Sequence, residues 1–500
     1  MKQTLTKILC LMLVLVMALT VVGCKDKKDP VDSGTGGGGD GGTDGTAFPY
    51  EIRNYNGQQL KIATIEGTPE SFFTMTCGEE MLGYEVHDAI YSRDLAAYET
   101  FGIDVYYMPY PANDDGKTLR DTLTPNLKGG TYVCDVVNAN LKNCILNLAT
   151  LGYLSNMNSL GLINMDHDWW ASYFADGATF NNKLYYAAGM SVGGGYFATP
   201  YAMFCNTNLQ RDVYLEDGTQ MDIFTLVDEG AWTLSVMTDI ITDYSRILDG
   251  SRTEFDPNQD LMAYAHIRGG VTSSAHFIAA GGKFSTITED GDIDVYNTIT
   301  SQTTQQLAKQ IQDIFEIVKD NYDVNTFFDG AQEGAFMYDR ALFFGNSMSY
   351  VNHFVNMESD YAIIPCPKAS SAAGTEYLSA INEWTAGYTA FTNNLSDADF
   401  VAYAAEALGW LSYLKVKPEV YDATLCLRVV REDERQITIM DTIYSNLYID
   451  LNFVNDFGGS KTKIGNVLNT TDNYYTQLTK LERSIGRDID SFIANMTAGD

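Results

Sequence analysis

The chain has 500 residues, of which 65 are acidic and 32 basic, so its formal net charge is −33 at neutral pH. An acidic surface of this size disfavours nucleic acid and anionic lipid as partners. The length exceeds what one hydrophobic core ordinarily supports, so we expect two lobes.

The amino terminus has the pattern of an export signal. A basic start is followed by an apolar run over residues 8–22, which ends at Gly23-Cys24. The run is shorter than the roughly 20 residues of a membrane-spanning helix and has the length of a signal-peptide core. The Val-Val-Gly-Cys sequence that closes it resembles a bacterial lipoprotein lipobox, whose cysteine is lipidated. We therefore predict a signal peptide over 1–23 and lipidation at Cys24; the alternative is an ordinary signal peptide with an incidental cysteine.

Residues 24–47 have the composition of a flexible tether. They are rich in Lys and Asp, then in Gly, Asp, Ser and Thr, and include the run Gly36-Gly37-Gly38-Gly39. Such a stretch buries too little apolar surface to fold, and its r.m.s. reach is about 25 Å. We expect a folded domain from about Phe48, anchored on the extracellular face of the cell membrane.

The remaining cysteines and the histidines show no metal-site spacing. No C-x-x-C is present, and the five histidines are scattered along the chain. Cysteines of an exported protein are often paired, but three of these lie within apolar runs, as small buried hydrophobes do. We predict free thiols, no metal and no cofactor. The cysteines of the folded domain are Cys77, Cys134, Cys144, Cys205, Cys366 and Cys426.

The first half of the domain predicts a parallel βαβ arrangement. Residues 60–65 and 103–107 alternate as strands, and 87–101 between them have helical spacing. A strand, a long crossover and a second strand are typical of a parallel sheet. Residues 132–137 are nearly all apolar, which indicates a strand buried on both faces. The predicted apolar arc of the helix consists of Ile90, Tyr91, Leu95, Tyr98 and Phe101.

Later segments alternate between strands and helices and then become mainly helical. The fold class is therefore α/β with a helical C-terminal part. Thr233 is the expected N-cap of one helix. The further predicted strands cover 180–186, 201–205, 341–344 and 361–368, and the further predicted helices cover 233–244, 304–318, 400–414, 432–447 and 474–493.

Several segments, in order, resemble the family 1 extracellular solute-binding proteins of ABC importers, a group that includes sugar-binding lipoproteins. The sequence departs from the family pattern at Asn182, Cys205, Thr207 and Leu234. Each motif is short, but their order and spacing behind a lipobox and a tether make the combination specific. The matching segments are Gly152-Tyr153-Leu154, Asp168-Trp169-Trp170, residues 181–185, residues 204–209, Ala231-Trp232-Thr233-Leu234, residues 341–345 and residues 361–368.

The resemblance implies a two-lobed periplasmic-binding-protein-like fold of type II, with hinge strands between the lobes. It further implies capture of a carbohydrate, with an oligosaccharide favoured, for the permease subunits of an ABC transporter. We expect a monomer. The first lobe would cover 48–198 and 378–430, and the second 199–377 and 431–500.

Polar residues that follow strands line the crevice of open α/β sheets. On that rule Glu66, Asn138 and Asn140 would face a ligand from the first lobe. Asn346 and Tyr350 would face it from the second. The alternative for the asparagines is that they are turn formers that satisfy their own backbone.

Aromatic side chains are the second set of candidates, because a pyranose stacks its apolar face on Trp or Tyr. Trp170 and Trp384 are the main stacking candidates, and core packing is the alternative for each. Tyr201, at the crossing between lobes, fits either role. Arg268, beside two glycines, is a candidate donor to a hydroxyl or carboxylate, with a surface ion pair as the alternative.

Enzymatic motifs are incomplete. Residues 189–193 match G-x-S-x-G, but Gly194, Gly195 and Pro200 oppose the helix that a nucleophile elbow requires. We therefore predict a binding protein rather than an enzyme. The alternatives are a surface glycoside hydrolase, whose two carboxylates nothing singles out, and a ligand-sensing receptor or scaffold lipoprotein. A peptide is the alternative ligand.

Overall fold

The computed structural model describes residues 47–497 except 67–84, 112–113, 115, 191–193, 267–268, 321–330, 355–356, 373, 386, 420 and 422–433. The predictions for the signal peptide, the tether, Cys24, Cys77, Arg268 and Cys426 lie outside the described residues. Among the helices of the described ranges, none has both the length and the hydropathy of a membrane span.

The described elements alternate as expected for an α/β chain. The strands are β1 (Gln58–Ile65), β2 (Ile103–Tyr110), β3 (Val136–Ala139), β4 (Ala187–Ala188), β5 (Tyr201–Asn206), β6 (Met262–His266), β7 (Thr286–Ile287), β8 (Ile293–Asp294), β9 (Ala341–Ser347), β10 (Tyr361–Ile364), β11 (Ser379–Ala380), β12 (Tyr388–Phe391) and β13 (Leu447–Tyr448). The helices are α1 (Glu85–Phe101), α2 (Lys117–Lys128), α3 (Leu146–Thr150), α4 (Ser172–Ala178), α5 (Ile223–Asp228), α6 (Leu234–Ile241), α7 (Gly270–Ala279), α8 (Tyr296–Thr300), α9 (Gln302–Ile317), α10 (Ala331–Met337), α11 (Ala398–Lys417), α12 (Arg435–Ser445), α13 (Leu451–Asn455), α14 (Ser460–Leu468), α15 (Tyr474–Leu478) and α16 (Glu482–Thr497).

The first sheet has the order β2-β1-β3-β12-β4. β1 runs parallel to β2 and to β3, which confirms the predicted βαβ unit. β12 runs antiparallel to β3 and returns to the sheet almost 250 residues later in the chain, placing Tyr388 beside Ala139 and Phe391 beside Val136. The carboxyl end of β3 and the beginning of β12 therefore lie at the same edge of the sheet.

Three predictions for this half are wrong in detail. The strand predicted over 132–137 begins later, at Val136, and ends at Ala139. Residues 180–183 form a tight turn and 184–186 lie outside any strand, because Asn181 and Asn182 adopt positive φ, a conformation that asparagine tolerates. The buried face of α1 is rotated from the predicted arc: Ile90 is buried, but Tyr91, Leu95 and Tyr98 are exposed. The rotation follows from the buried positions outside that arc, which are Val86, His87, Ala89, Arg93 and Ala97.

The second sheet has the order β10-β5-β9-β6. β6 and β9 are parallel, and β5 is antiparallel to both of its neighbours. β10 is shorter than predicted and ends before Pro365, which lacks the amide proton that a ladder requires. The predicted N-cap is confirmed, since the Thr233 side chain accepts from the Val236 amide at 3.3 Å.

The C-terminal part is helical, as predicted, although the expected helix over 474–493 is divided by a 3₁₀ turn at Thr479–Leu481. α12 packs on the second sheet, where the Gln436 side chain bonds both the amide and the carbonyl of Ile363. Farther along, the Phe492 ring of α16 meets Phe180 of the first half at 5.8 Å. The C-terminal helices thus contact both halves.

The four described cysteines are free and buried, which confirms the prediction for them: Cys134, Cys144, Cys205 and Cys366. Burial raises the pKa of the Cys134 and Cys144 thiols to about 12. Because the thiolate is the reactive form, these groups are inert at neutral pH.

Candidate functional site

The carboxyl end of β3 is held against the segment 382–384. Leu141 and Lys142, which follow the predicted Asn138-Ala139-Asn140 segment, both donate their amides to the Glu383 carbonyl at 3.1 Å. These bonds place the Asn382-Glu383-Trp384 segment at the edge of the first sheet where β3 ends.

The same segment reaches the second sheet. Asn382 donates its amide to the Thr199 carbonyl at 2.7 Å, and Met348 donates to the Pro200 carbonyl at 2.8 Å. Met348 directly follows β9. A continuous path of hydrogen bonds therefore joins the end of β3 to the end of β9 through the chain crossing at 199–200. The region where these strand ends meet is called the strand-end site below.

A buried ion pair lies in the strand-end site. The Glu383 carboxylate accepts from Lys461 Nζ at 2.7 Å, and both side chains are less than a tenth exposed. Lys461 lies at the start of α14 and places its ammonium 4.7 Å from the centre of the Phe453 ring. Lys142 Nζ approaches the same carboxylate oxygen at 3.9 Å. The pair links the edge of the first sheet to the C-terminal helices.

Three buried polar atoms of this site have no hydrogen-bond partner within the described part of the chain: Glu383 Oε2, Asn138 Oδ1 and Asn346 Nδ2. Their other polar atoms are used, since Asn138 Nδ2 donates to Thr389 Oγ1 and Asn346 Oδ1 accepts from the Ser347 amide. Buried polar atoms are nearly always bonded to protein or water. Two acceptors and one donor are thus left unused by the described residues.

The two tryptophan candidates differ sharply in environment. Trp384 is 43% exposed beside the buried Glu383, although a large apolar ring is ordinarily covered. Trp170 is 5% exposed, and its indole donates to Glu406 at 2.9 Å. The fully buried Glu406 carboxylate also accepts from Trp169 and bonds His167, so it organises an interior cluster. Trp170 fits the core-packing alternative, whereas Trp384 has the exposure that stacking requires.

The remaining candidate residues differ in burial and in the partners of their side chains. Asn140 caps the following helical turn by accepting from the Asn143 amide at 2.9 Å, as its turn-former alternative predicted. Tyr201 is buried in the second half, where its hydroxyl donates to Thr272, and burial strongly raises its pKa. Tyr350 is half-buried and stacks on His353 at 4.8 Å. Glu66 is exposed at the end of β1.

Sequence reasoning missed Glu383, Lys461 and Lys142. Glu383 had a local signal, because it precedes Trp384 in a bend already chosen for its tryptophan. Lys461 had none, since its partner is 78 residues away and only the fold brings them together. Across the described ranges, no cluster of three His, Cys, Asp or Glu side chains is arranged to hold a metal ion.

No protein-family model and no curated protein sequence matches the chain. Solved structures do match its fold. A cyclic alpha-maltosyl-1,6-maltose binding protein from Arthrobacter globiformis aligns with a TM-score of 0.54 and 13% identity over 86% of this chain and 99% of that one. The maltose-binding periplasmic protein MalE of Listeria monocytogenes aligns at 0.52 and 13% over 86% and 98%. MalX from Streptococcus pneumoniae aligns at 0.52 and 12% over 86% and 99%.

At such identities the likeness concerns the fold. The chain has the two-lobed periplasmic-binding-protein-like architecture, with the two sheets described above. The predicted fold class is confirmed. The lobe boundaries and the roles of the candidate residues stay predictions.

Proposed function

We propose that the protein is an extracellular, lipid-anchored solute-binding protein that captures a neutral carbohydrate, with an oligosaccharide favoured, and delivers it to the permease of an ABC transporter. The observation that carries this proposal is the strand-end site. It combines an exposed tryptophan with three buried, unpartnered polar atoms where the strands of both sheets end.

The chemistry of that site suits a sugar. A pyranose has an apolar face of C–H groups, which the Trp384 ring would stack against, and a rim of hydroxyls. Hydroxyls both donate and accept, so they match Glu383 Oε2 and Asn138 Oδ1 as acceptors and Asn346 Nδ2 as a donor. Since Lys461 balances the Glu383 charge, the site favours a neutral ligand over an acidic one.

Capture would proceed without covalent chemistry. Ligand contacts from both lobes stabilise a closed arrangement over an open one, and the free energy of closure comes from that difference in affinity. The permease would then recognise the closed form. Two of the structural neighbours hold maltose and maltopentaose, and the third is a cyclic maltosyl-maltose binding protein, which supports a carbohydrate as the ligand here.

The export signal and the tether support the cellular setting. Lipidation of Cys24 would hold the domain at the outer face of the cell membrane, and the flexible residues 24–47 would let it reach a permease. The acidic composition argues against nucleic acid as a partner. We propose a monomer.

Isothermal titration of the mature domain against neutral malto-oligosaccharides, acidic sugars and short peptides tests the ligand class. We expect saturable heat with a neutral oligosaccharide and a weaker affinity for the Trp384→Ala variant. If no sugar gave a heat of binding and a peptide did, the carbohydrate assignment would be overturned. Release of shorter glycans during the incubation would instead make the protein a hydrolase.

Mass spectrometry of the protein extracted from membranes tests the anchor. We expect an amino-terminal peptide that begins at Cys24 and carries acyl chains, and we expect Cys24→Ser to release the protein from the membrane fraction. An unmodified amino terminus would contradict the anchor while leaving the ligand proposal intact.

A further inference from the structure

A second region of the molecule contains a large cavity, called the lateral cavity below. Its volume is about 760 Å³, within the range of small-molecule sites. One wall comes from α3 and the chain after it, and the other comes from α13, Phe457 and α16. The principal apolar side chains of the wall are Leu146, Leu154, Leu451, Phe457 and Phe492.

The lateral cavity is separate from the strand-end site. Leu154 pairs with Thr392 in an isolated β-bridge. Asn393 also lines the cavity, and its backbone amide donates to the Tyr153 carbonyl. These residues follow the end of β12, whereas the strand-end site adjoins the beginning of that strand at Tyr388. The two regions are thus on the order of 13 Å apart along the strand, at 3.4 Å per residue.

Several polar side chains of the cavity wall are already bonded within the protein. Asn156 uses both ends of its amide, accepting from the Leu184 amide and donating to the Asn182 carbonyl. Asn393 donates to the Gly152 carbonyl, and Asn455 donates to the Leu451 carbonyl, both at 2.8 Å. A polyol entering the cavity would lose hydrogen bonds to water and find few replacements, which is unfavourable.

The wall also has apolar and aromatic side chains, and its one cation and one anion leave it without net charge. Phe457 and Phe492 meet with their ring centres 5.4 Å apart. Burial raises the pKa of the Tyr186 phenol, as expected of a hydroxyl in apolar surroundings. One cation, Lys183, and one anion, Asp488, also line the cavity, and the Asp488 carboxylate accepts from the Gly458 amide at 3.0 Å.

We propose that the lateral cavity is a second binding site that takes an uncharged, apolar molecule with one or more aromatic rings. Its volume accommodates a two- or three-ring compound, and its aromatic side chains offer edge-to-face and stacked contacts. This ligand differs in chemistry from the carbohydrate of the strand-end site, and the proposal does not depend on that carbohydrate.

Fluorescence titration with N-phenyl-1-naphthylamine, a neutral two-ring system with a phenyl group, tests the proposal. The Ala149→Trp variant places an indole in the cavity from α3, and Ala96→Trp is the matched control, since both alanines are half-buried but only Ala149 lines the cavity. We expect saturable emission enhancement in the wild type and in Ala96→Trp. In Ala149→Trp we expect affinity to fall by about tenfold or more.

Three outcomes would overturn the proposal: no saturable enhancement in the wild type, equal affinity in wild type and Ala149→Trp, or displacement of the probe by the oligosaccharide that binds in the titration above. Should Ala149→Trp fail to fold, as judged by circular dichroism, Thr150→Trp takes its place. Thr150 lines the same cavity from an exposed position, where a larger side chain is tolerated.

Discussion

The strand-end site and the lateral cavity differ in how their polar groups are satisfied. At the strand-end site, three buried polar atoms have no partner among the described residues. Around the lateral cavity, the amides of Asn156, Asn393 and Asn455 are bonded to the backbone. Unused hydrogen-bonding capacity favours a polyol as the ligand of a site, and its absence favours an apolar molecule.

The largest effect should come from breaking the ion pair of the strand-end site. Lys461→Met leaves the buried Glu383 carboxylate without its closest cation, so the free energy of unfolding should fall by about 3–5 kcal/mol. Urea denaturation measures the change. The double variant Glu383→Leu/Lys461→Met should recover much of the lost stability, because an apolar pair of similar volume replaces the charges; no recovery would mean that the pair is not coupled.

Removing an aromatic wall of the lateral cavity should affect folding but not sugar binding. Phe492→Ala loses the contacts with Phe180 and Phe457, and for this half-buried ring we expect a loss of roughly 2–3 kcal/mol in unfolding free energy. Calorimetric titration should give an unchanged oligosaccharide affinity. A tenfold weaker sugar affinity in a normally folded Phe492→Ala variant would show that the two regions form one binding site, which would contradict their separation.

The exposed tryptophan of the strand-end site should show the opposite behaviour. Trp384→Ala should weaken oligosaccharide binding by more than about 1 kcal/mol while the melting temperature of the empty protein stays nearly constant. Trp170→Ala is the matched control, because loss of this buried ring should lower the free energy of unfolding by about 3–5 kcal/mol. Equal stability losses in both variants would assign Trp384 to the core.

The smallest expected effects come from replacing two asparagines, one beside each region, and comparing stability with oligosaccharide affinity. Asn156→Ala removes its hydrogen bonds with Leu184 and Asn182 and a third, accepted from the Asn158 amide, so the free energy of unfolding should fall by about 1–2 kcal/mol. Asn138→Ala removes one bond and one unpartnered acceptor, so stability should change little while oligosaccharide affinity falls. Thermal denaturation and titration of both variants decide whether Asn138 serves the ligand or the fold.

Local sequence patterns predicted β1, β2, the start of β3 and the Thr233 cap, because these depend on neighbours a few residues apart. The buried face of α1 was predicted incorrectly for the same reason. Apolar spacing favoured Tyr91, Leu95 and Tyr98, but the helix buries Arg93, which a pattern of apolar residues does not select. Arg93 is accommodated by an ion pair with Asp94 and a hydrogen bond to Ser412, a partner distant in the chain.

The candidate site residues, too, were predicted in part from local sequence and in part only from the structure. Asn138, Asn346 and Trp384 were proposed from the sequence because each asparagine follows a predicted strand and the tryptophan lies in a bend flanked by Gly and Thr. Their local sequence did not distinguish them from Asn140, whose side chain caps a helical turn, or from Trp170, whose indole serves the interior. Burial and hydrogen-bond partners made that distinction.

The sequence by itself determined the export signal pattern, the α/β class and the strand ends at which a ligand is expected, since each is written in contiguous residues. Only the tertiary structure decided that Glu383 meets Lys461, that Trp384 is exposed and that a cavity lies between α3 and α16. Those features arise where distant segments come together, and burial, charge pairing and unused hydrogen-bonding capacity are properties of such contacts rather than of any one segment.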